Sequence, residues 1–132
     1  MSMNETFTIG EMCRAFDVTP RALRFYEQKE LLKPIRQGQH RHYTPRDRAR
    51  LTLILRGKRF GFSLAEIREL LELYYVPDGQ VTQLSATLKA ASRHYDELVE
   101  RRDELTAAIA ELDEQMRLLR GMLEEKDARA AG

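Results

Sequence analysis

The sequence predicts a mainly α protein in two parts: a basic head of short capped helices with a small hairpin, then one long heptad-patterned helix. Three observations predict it. Charge changes sign along the 132 residues: residues 1–62 hold 13 Lys and Arg against 6 Asp and Glu, while residues 63–132 hold 9 against 15, so +7 is followed by −6. From residue 8 to residue 63, Thr8, Thr19, Thr44 and Ser63 each stand where a helix N-cap belongs. Farther on, steps of three and four run from Val81 to Leu123 without a slip, apolar at every position but Arg102. A basic half joined to an acidic half fits a polyanion-binding module beside an element that avoids polyanions.

Residues 1–7 are expected as a short tail. Thr8-Ile9-Gly10-Glu11 has capping-box spacing, and Ile9, Met12, Cys13 and Phe16 then form a core-facing stripe. Cys13 reads as a small buried hydrophobe, because no second cysteine exists to pair with it. Asp17-Val18-Thr19 turns into a second helix, in which Pro20 suits the first helical position. At 3.6 residues per turn, Arg21, Arg24, Phe25 and Gln28 share one face, while Ala22, Leu23 and Tyr26 turn away. Two short capped helices joined by three or four residues have helix-turn-helix spacing, and the second carries a recognition face of two guanidinium groups and an aromatic ring.

Beyond Glu30 the helical pattern stops. Pro34 pushes Lys33 out of the α region, so Leu31 to Arg36 reads as extended, Gln37-Gly38-Gln39 as a turn and His40 to Tyr43 as a returning strand. This hairpin is short, polar and basic, which suits a wing along DNA with Arg41 and Tyr43 reaching phosphates. His40 and His42 lack a third ligand nearby, so no metal site is expected there. Thr44-Pro45 starts a third helix running to about Phe60, with Leu51, Ile54 and Leu55 inward and Arg46, Arg48, Arg50, Arg56, Lys58 and Arg59 outward. Gly61 suits its C-terminal cap, and Ser63 to Glu66 forms another capping box before a stripe of Leu64, Ile67, Leu71 and Tyr74.

Tyr75 to Gly79 breaks the pattern and reads as a linker. The seam that follows runs through Leu84, Leu88, Ala91, Tyr95, Leu98, Leu105, Ile109, Leu112, Met116 and Leu119, interrupted only by Arg102. From Val81 to Leu119 it would span roughly 57 Å, too long to bury its stripe on so small a head, so a homodimer is expected with Arg102 fixing register. Gly121 is expected to end this helix and residues 125–132 to form a tail. The divisions predicted are a head at 1–75, a linker at 76–80, a dimerisation helix at 81–120 and a tail at 121–132.

Four stretches in order, Phe7 to Glu11, Thr19 to Glu27, Gly38 to Tyr43 and Arg59 to Ile67, resemble the winged helix-turn-helix of the MerR family of bacterial transcription regulators. The resemblance covers about residues 7–75. It implies that Thr19, Arg21, Arg24, Phe25 and Tyr26 in the helix and Arg36, Arg41 and Tyr43 in the wing bind DNA. It also implies antiparallel pairing of the long helices through Leu84, Leu88, Tyr95, Leu98, Leu105, Ile109, Leu112 and Met116. The dimer would bind an inverted repeat and bend and untwist promoter DNA so that RNA polymerase aligns with both promoter elements. Metal- and redox-sensing relatives carry cysteines around the dimerisation helix, and this sequence has none there. Drug-sensing relatives carry an added C-terminal domain for which 132 residues leave no room. The branch most resembled controls branched-chain amino-acid and fatty-acid catabolism, which implies an acyl-CoA-like effector, in a pocket near Tyr74, Tyr75, Arg93, His94 and Tyr95.

Other classes fare worse. No paired carboxylates, nucleophile–base pattern or glycine-rich phosphate loop is present, so neither an enzyme nor a bound cofactor is expected. No apolar run approaches a membrane span and no signal pattern opens the chain, so a cytoplasmic protein is expected. An architectural DNA-binding protein would bind AT-rich DNA with shallow specificity. A protein-binding adaptor using the same fold would leave DNA unbound at low salt.

Overall fold

The structure, a computed structural model, describes residues 5–75 and 81–131. In chain order these form α1 (Ile9–Phe16), α2 (Pro20–Gln28), β1 (Ile35–Gln37), β2 (His40–His42), α3 (Pro45–Phe60), α4 (Leu64–Tyr75) and α5 (Val81–Ala131). The chain divides by compactness into two units, Met1–Ser92 and Arg93–Gly132, so the opening turns of α5 group with the head. The expected linker at 76–80 lies outside the described residues, as do the side chains of Tyr74 and Tyr75. No helix among the described residues is long and apolar enough to cross a membrane.

Helix starts in the head are set locally. Thr8 Oγ1 accepts the Glu11 N–H at 3.0 Å, and Glu11 Oε1 accepts the Thr8 N–H at 2.9 Å. That bond from the Thr8 backbone holds the Glu11 carboxyl below the usual carboxylate range. Ser63 and Glu66 repeat the arrangement before α4. Before α3 the box is formed by Thr44 and Asp47. Asp47 does more than complete that box. It is buried, and while Oδ2 accepts the Thr44 N–H, Oδ1 accepts the Lys33 N–H at 3.0 Å, fastening the chain just before the hairpin.

Helix ends are equally explicit. Gly61 closes α3 in the left-handed region. In α2, the Leu31 N–H donates to Tyr26 O and the Glu30 N–H to Glu27 O, a Schellman motif with Glu30 at φ +61° in the position usually given to glycine. The core beneath consists of Met12, Leu23, Tyr26, Leu31, Leu32, Tyr43, Leu51, Ile54, Ile67 and Leu71, with Ile9, Cys13 and Phe16 packed against it. Cys13, expected as a buried hydrophobe, is half-buried and packs against the core from its edge. Helices α3 and α4 approach closely at Gly57, where a Cβ would lie 2.8 Å from Ile67 Cγ1.

Phe7 does not belong to a tail. It exchanges both backbone hydrogen bonds with Tyr43, each 2.8 Å, and its ring lies under the Arg48 guanidinium at 4.5 Å. Two arginines expected on the outside of α3 are likewise engaged: Arg48 over Phe7, and Arg50, whose Nε donates to Leu31 O at 2.7 Å.

Helix α5 runs for 51 residues, about 77 Å, straight through Gly121. One glycine in an exposed helix interior costs about 1 kcal/mol against alanine, and strong helix formers on both sides, Leu118 to Arg120 and Met122 to Lys126, outweigh it. The tail expected from 121 is therefore helical to Ala131. Its seam residues Leu84, Leu88, Tyr95, Leu98, Leu105, Ile109, Leu112 and Met116 are all exposed, and Arg102 in their midst bonds Asp103.

Candidate nucleic-acid interface

The recognition face starts from a cap. Thr19 Oγ1 accepts the Ala22 N–H at 3.1 Å and Pro20 opens α2, so the helix begins at a fixed residue and its rotation is set by what it buries. Leu23 is fully buried and Tyr26 nearly so, which turns Arg21, Arg24, Phe25 and Gln28 outward. Phe25 stays 40% exposed, its ring edge-on to Tyr26 and 5.7 Å from Lys29 Nζ. Arg21 and Arg24 meet no acidic partner among the described residues, so their charge is available to an external anion.

The hairpin supplies the second part. Strands β1 and β2 pair antiparallel with Ile35 opposite His42, Arg36 opposite Arg41 and Gln37 opposite His40; Gly38, at φ +61°, makes the reversal. Two guanidinium groups directly across a strand pair repel each other. Glu27, in the last turn of α2, resolves the conflict: Oε1 accepts from Arg41 Nε at 3.0 Å and from Arg36 Nη2 at 3.3 Å. Its other oxygen, Oε2, accepts the Tyr43 hydroxyl at 2.6 Å. Burial, and then this hydrogen bond, raise the Tyr43 hydroxyl well above the usual phenol range.

The sequence-predicted site residues therefore divide. Arg21, Arg24 and Phe25 lie on the exposed face of α2, Thr19 caps it, and Arg36 and Arg41 lie on the hairpin. Tyr26 and Tyr43 do not belong with them. Tyr26 packs in the core, and Tyr43 has no exposed surface, its ring in the same core and its hydroxyl donating to Glu27. Each tyrosine gives the small core a large apolar body, and Tyr43 does so while its hydroxyl donates to Glu27.

Sequence reasoning passed over Glu27 and the arginines that fix the chain leaving α2. Arg50 bonds Leu31 O, and Arg68 Nη2 donates to Lys29 O, so backbone carbonyls past the helix end are held from α3 and α4. A signal for Glu27 was present. An acid in the last helical turn faces the negative end of the helix dipole, which disfavours it unless cations compensate.

Comparison with known proteins agrees with this geometry. The description "MerR HTH family regulatory protein" matches residues 7–73, and "MerR, DNA binding" matches residues 48–127. The HTH-type transcriptional regulator ZntR of Escherichia coli (strain K12) is 35% identical over 115 residues, which are 86% of this chain and 75% of that protein. The transcription regulator PbrR691 from Ralstonia metallidurans CH34, solved in complex with lead(II), is similar at a TM-score of 0.58 and 30% identity, over 84% of this chain and 86% of its own. HiNmlR, a MerR family regulator lacking the sensor domain and bound to promoter DNA, shares the fold at a TM-score of 0.62 and 22% identity, over 76% and 79% of the two chains. A capped helix with a free arginine face, a basic hairpin beside it and these matches together show that the chain belongs to the MerR family of DNA-binding transcription regulators.

Proposed function

We propose that this regulator works as a cytoplasmic homodimer that binds an inverted repeat in a promoter and controls RNA polymerase by distorting the DNA between the half-sites. The observation that carries the reading is the outward face of α2, where Arg21, Arg24 and Phe25 stand exposed over a buried Leu23 and Tyr26. Phosphate contacts supply most of the affinity of such a module, and a few side chains on the helix read base edges. The exposed seam of α5 supports self-association, because a stripe of large apolar residues at three- and four-residue steps is what a second helix covers.

The signal is a small-molecule effector, and the resemblance to regulators of fatty-acid and branched-chain catabolism favours an acyl-CoA-like metabolite. The single cysteine supports a metabolite over a thiolate-bound metal, since one sulfur cannot build a cage within one chain. A thermal-shift series with acyl-CoAs is expected to raise the melting temperature, and no shift with any of them would remove this part of the reading.

Selection of duplexes from a random pool, followed by footprinting, tests the DNA reading. A two-fold symmetric site is expected, and enrichment of asymmetric or merely AT-rich sequence would sink it. Within that site, Arg24→Ala is expected to cost about 1–3 kcal/mol and to relax preference at one base position if Arg24 reads a base edge. Uniform weakening with a shallower salt dependence would make Arg24 a phosphate contact instead.

A further inference from the structure

Glu27 is out of place by every local rule, and that is what makes it informative. It sits at the negative end of α2, on a head whose exposed helix face is basic, and a carboxylate beside a polyanion site costs affinity by simple repulsion. Yet its side chain is only 9% exposed and it accepts hydrogen bonds from Arg36, Arg41 and Tyr43. The three differ in how they are held. Arg41 donates through Nε at 3.0 Å with a side chain 21% exposed, so among the described residues both of its terminal nitrogens stay open to another acceptor. Arg36 donates through a terminal nitrogen at 3.3 Å and is 58% exposed, a looser attachment. The Tyr43 hydroxyl fixes the second carboxylate oxygen from within the core.

We propose that Glu27 is a positioning residue for DNA binding, tying the wing to the recognition helix and orienting the terminal nitrogens of Arg41 for a backbone phosphate. The inference rests on the reading that Arg36 and Arg41 contact DNA. Arg41 keeps its bond to Glu27 in the complex, while Arg36, held by its tip alone, exchanges the carboxylate for a phosphate. A fixed guanidinium loses less conformational freedom on binding than a free one, so the cost of a carboxylate near DNA is offset by an arginine already in place.

The two views of Glu27 predict opposite signs. If it were merely a like charge near DNA, Glu27→Gln would tighten binding. As a positioning residue, Glu27→Gln weakens binding to a fluorescently labelled duplex selected by the wild-type protein by about tenfold. The slope of log affinity against log salt falls by about one phosphate contact. In an Arg41→Ala background the same substitution adds little, because Glu27 acts through Arg41. Equal or tighter binding by Glu27→Gln overturns the proposal, as does full additivity with Arg41→Ala. Wild-type affinity for Arg41→Ala would overturn the DNA-contact reading itself, which separates the two failures. A spectroscopic arm covers the case in which Glu27→Gln does not fold. The wild-type protein shows a slowly exchanging arginine Nε–H resonance that Arg41→Lys removes, and Tyr43→Phe speeds its exchange; its absence from the wild-type spectrum overturns the proposal.

Discussion

Glu30 occupies the left-handed position that ends α2, at φ +61°, with a side chain that brings a steric cost glycine would not. Glu30→Gly is therefore expected to stabilise the head by about 1 kcal/mol, read as a higher urea midpoint with unchanged slope. Tyr43 makes a pH prediction. Its proton is held more tightly in the folded state than the ordinary phenol near pH 10 in the unfolded chain, so the folded state binds more protons once pH exceeds that value. The stability Tyr43 contributes is complete below about pH 10 and is lost as pH climbs through the raised folded value. Tyr43→Phe should cost about 1–2 kcal/mol at neutral pH and flatten the alkaline decline, measured by denaturant titrations from neutral to strongly alkaline pH.

At the scale of the elements, periodicity and capping made most of the head legible. Thr8, Thr19, Thr44 and Ser63 begin helices as their side chains dictate, and Gly61 ends one, because these effects act over three or four residues. What could not be read was tertiary. Tyr43 alternates with Arg41 along a strand and looks like its neighbour until the core beneath is known. Glu27 gains its meaning from residues nine to sixteen positions away. Gly121 misled for a related reason: glycine stops a helix only when the chain beyond gains by leaving it, and here strong helix formers follow. The approach of α3 to α4 depends on one missing side chain. Gly57→Ala should destabilise by about 1–3 kcal/mol despite alanine's better helix propensity, since Ile67 stands 2.8 Å from the added carbon. A thermal melt checks it, and a raised midpoint would contradict the crowding.

For the whole molecule, the exposed apolar seam of α5 is the feature self-association must explain. Ile109→Asp places a charge in that stripe and should shift the sedimenting species to the monomer while leaving the head folded, with DNA affinity falling because two half-sites are no longer held together. A dimer that survives the change would move the interface elsewhere. The Glu27 cluster has one more consequence, for how the head assembles. Its three bonds join residues separated by 9, 14 and 16 positions, so the wing docks by closing short loops whose entropy cost is small. Helix starts are encoded in the adjoining residues, so the distant ties left to form are those of Phe7 with Tyr43 and of Arg68 with Lys29 O. A wing detached by a passing fluctuation finds its helix again on the timescale of loop closure, orders of magnitude faster than refolding of the domain.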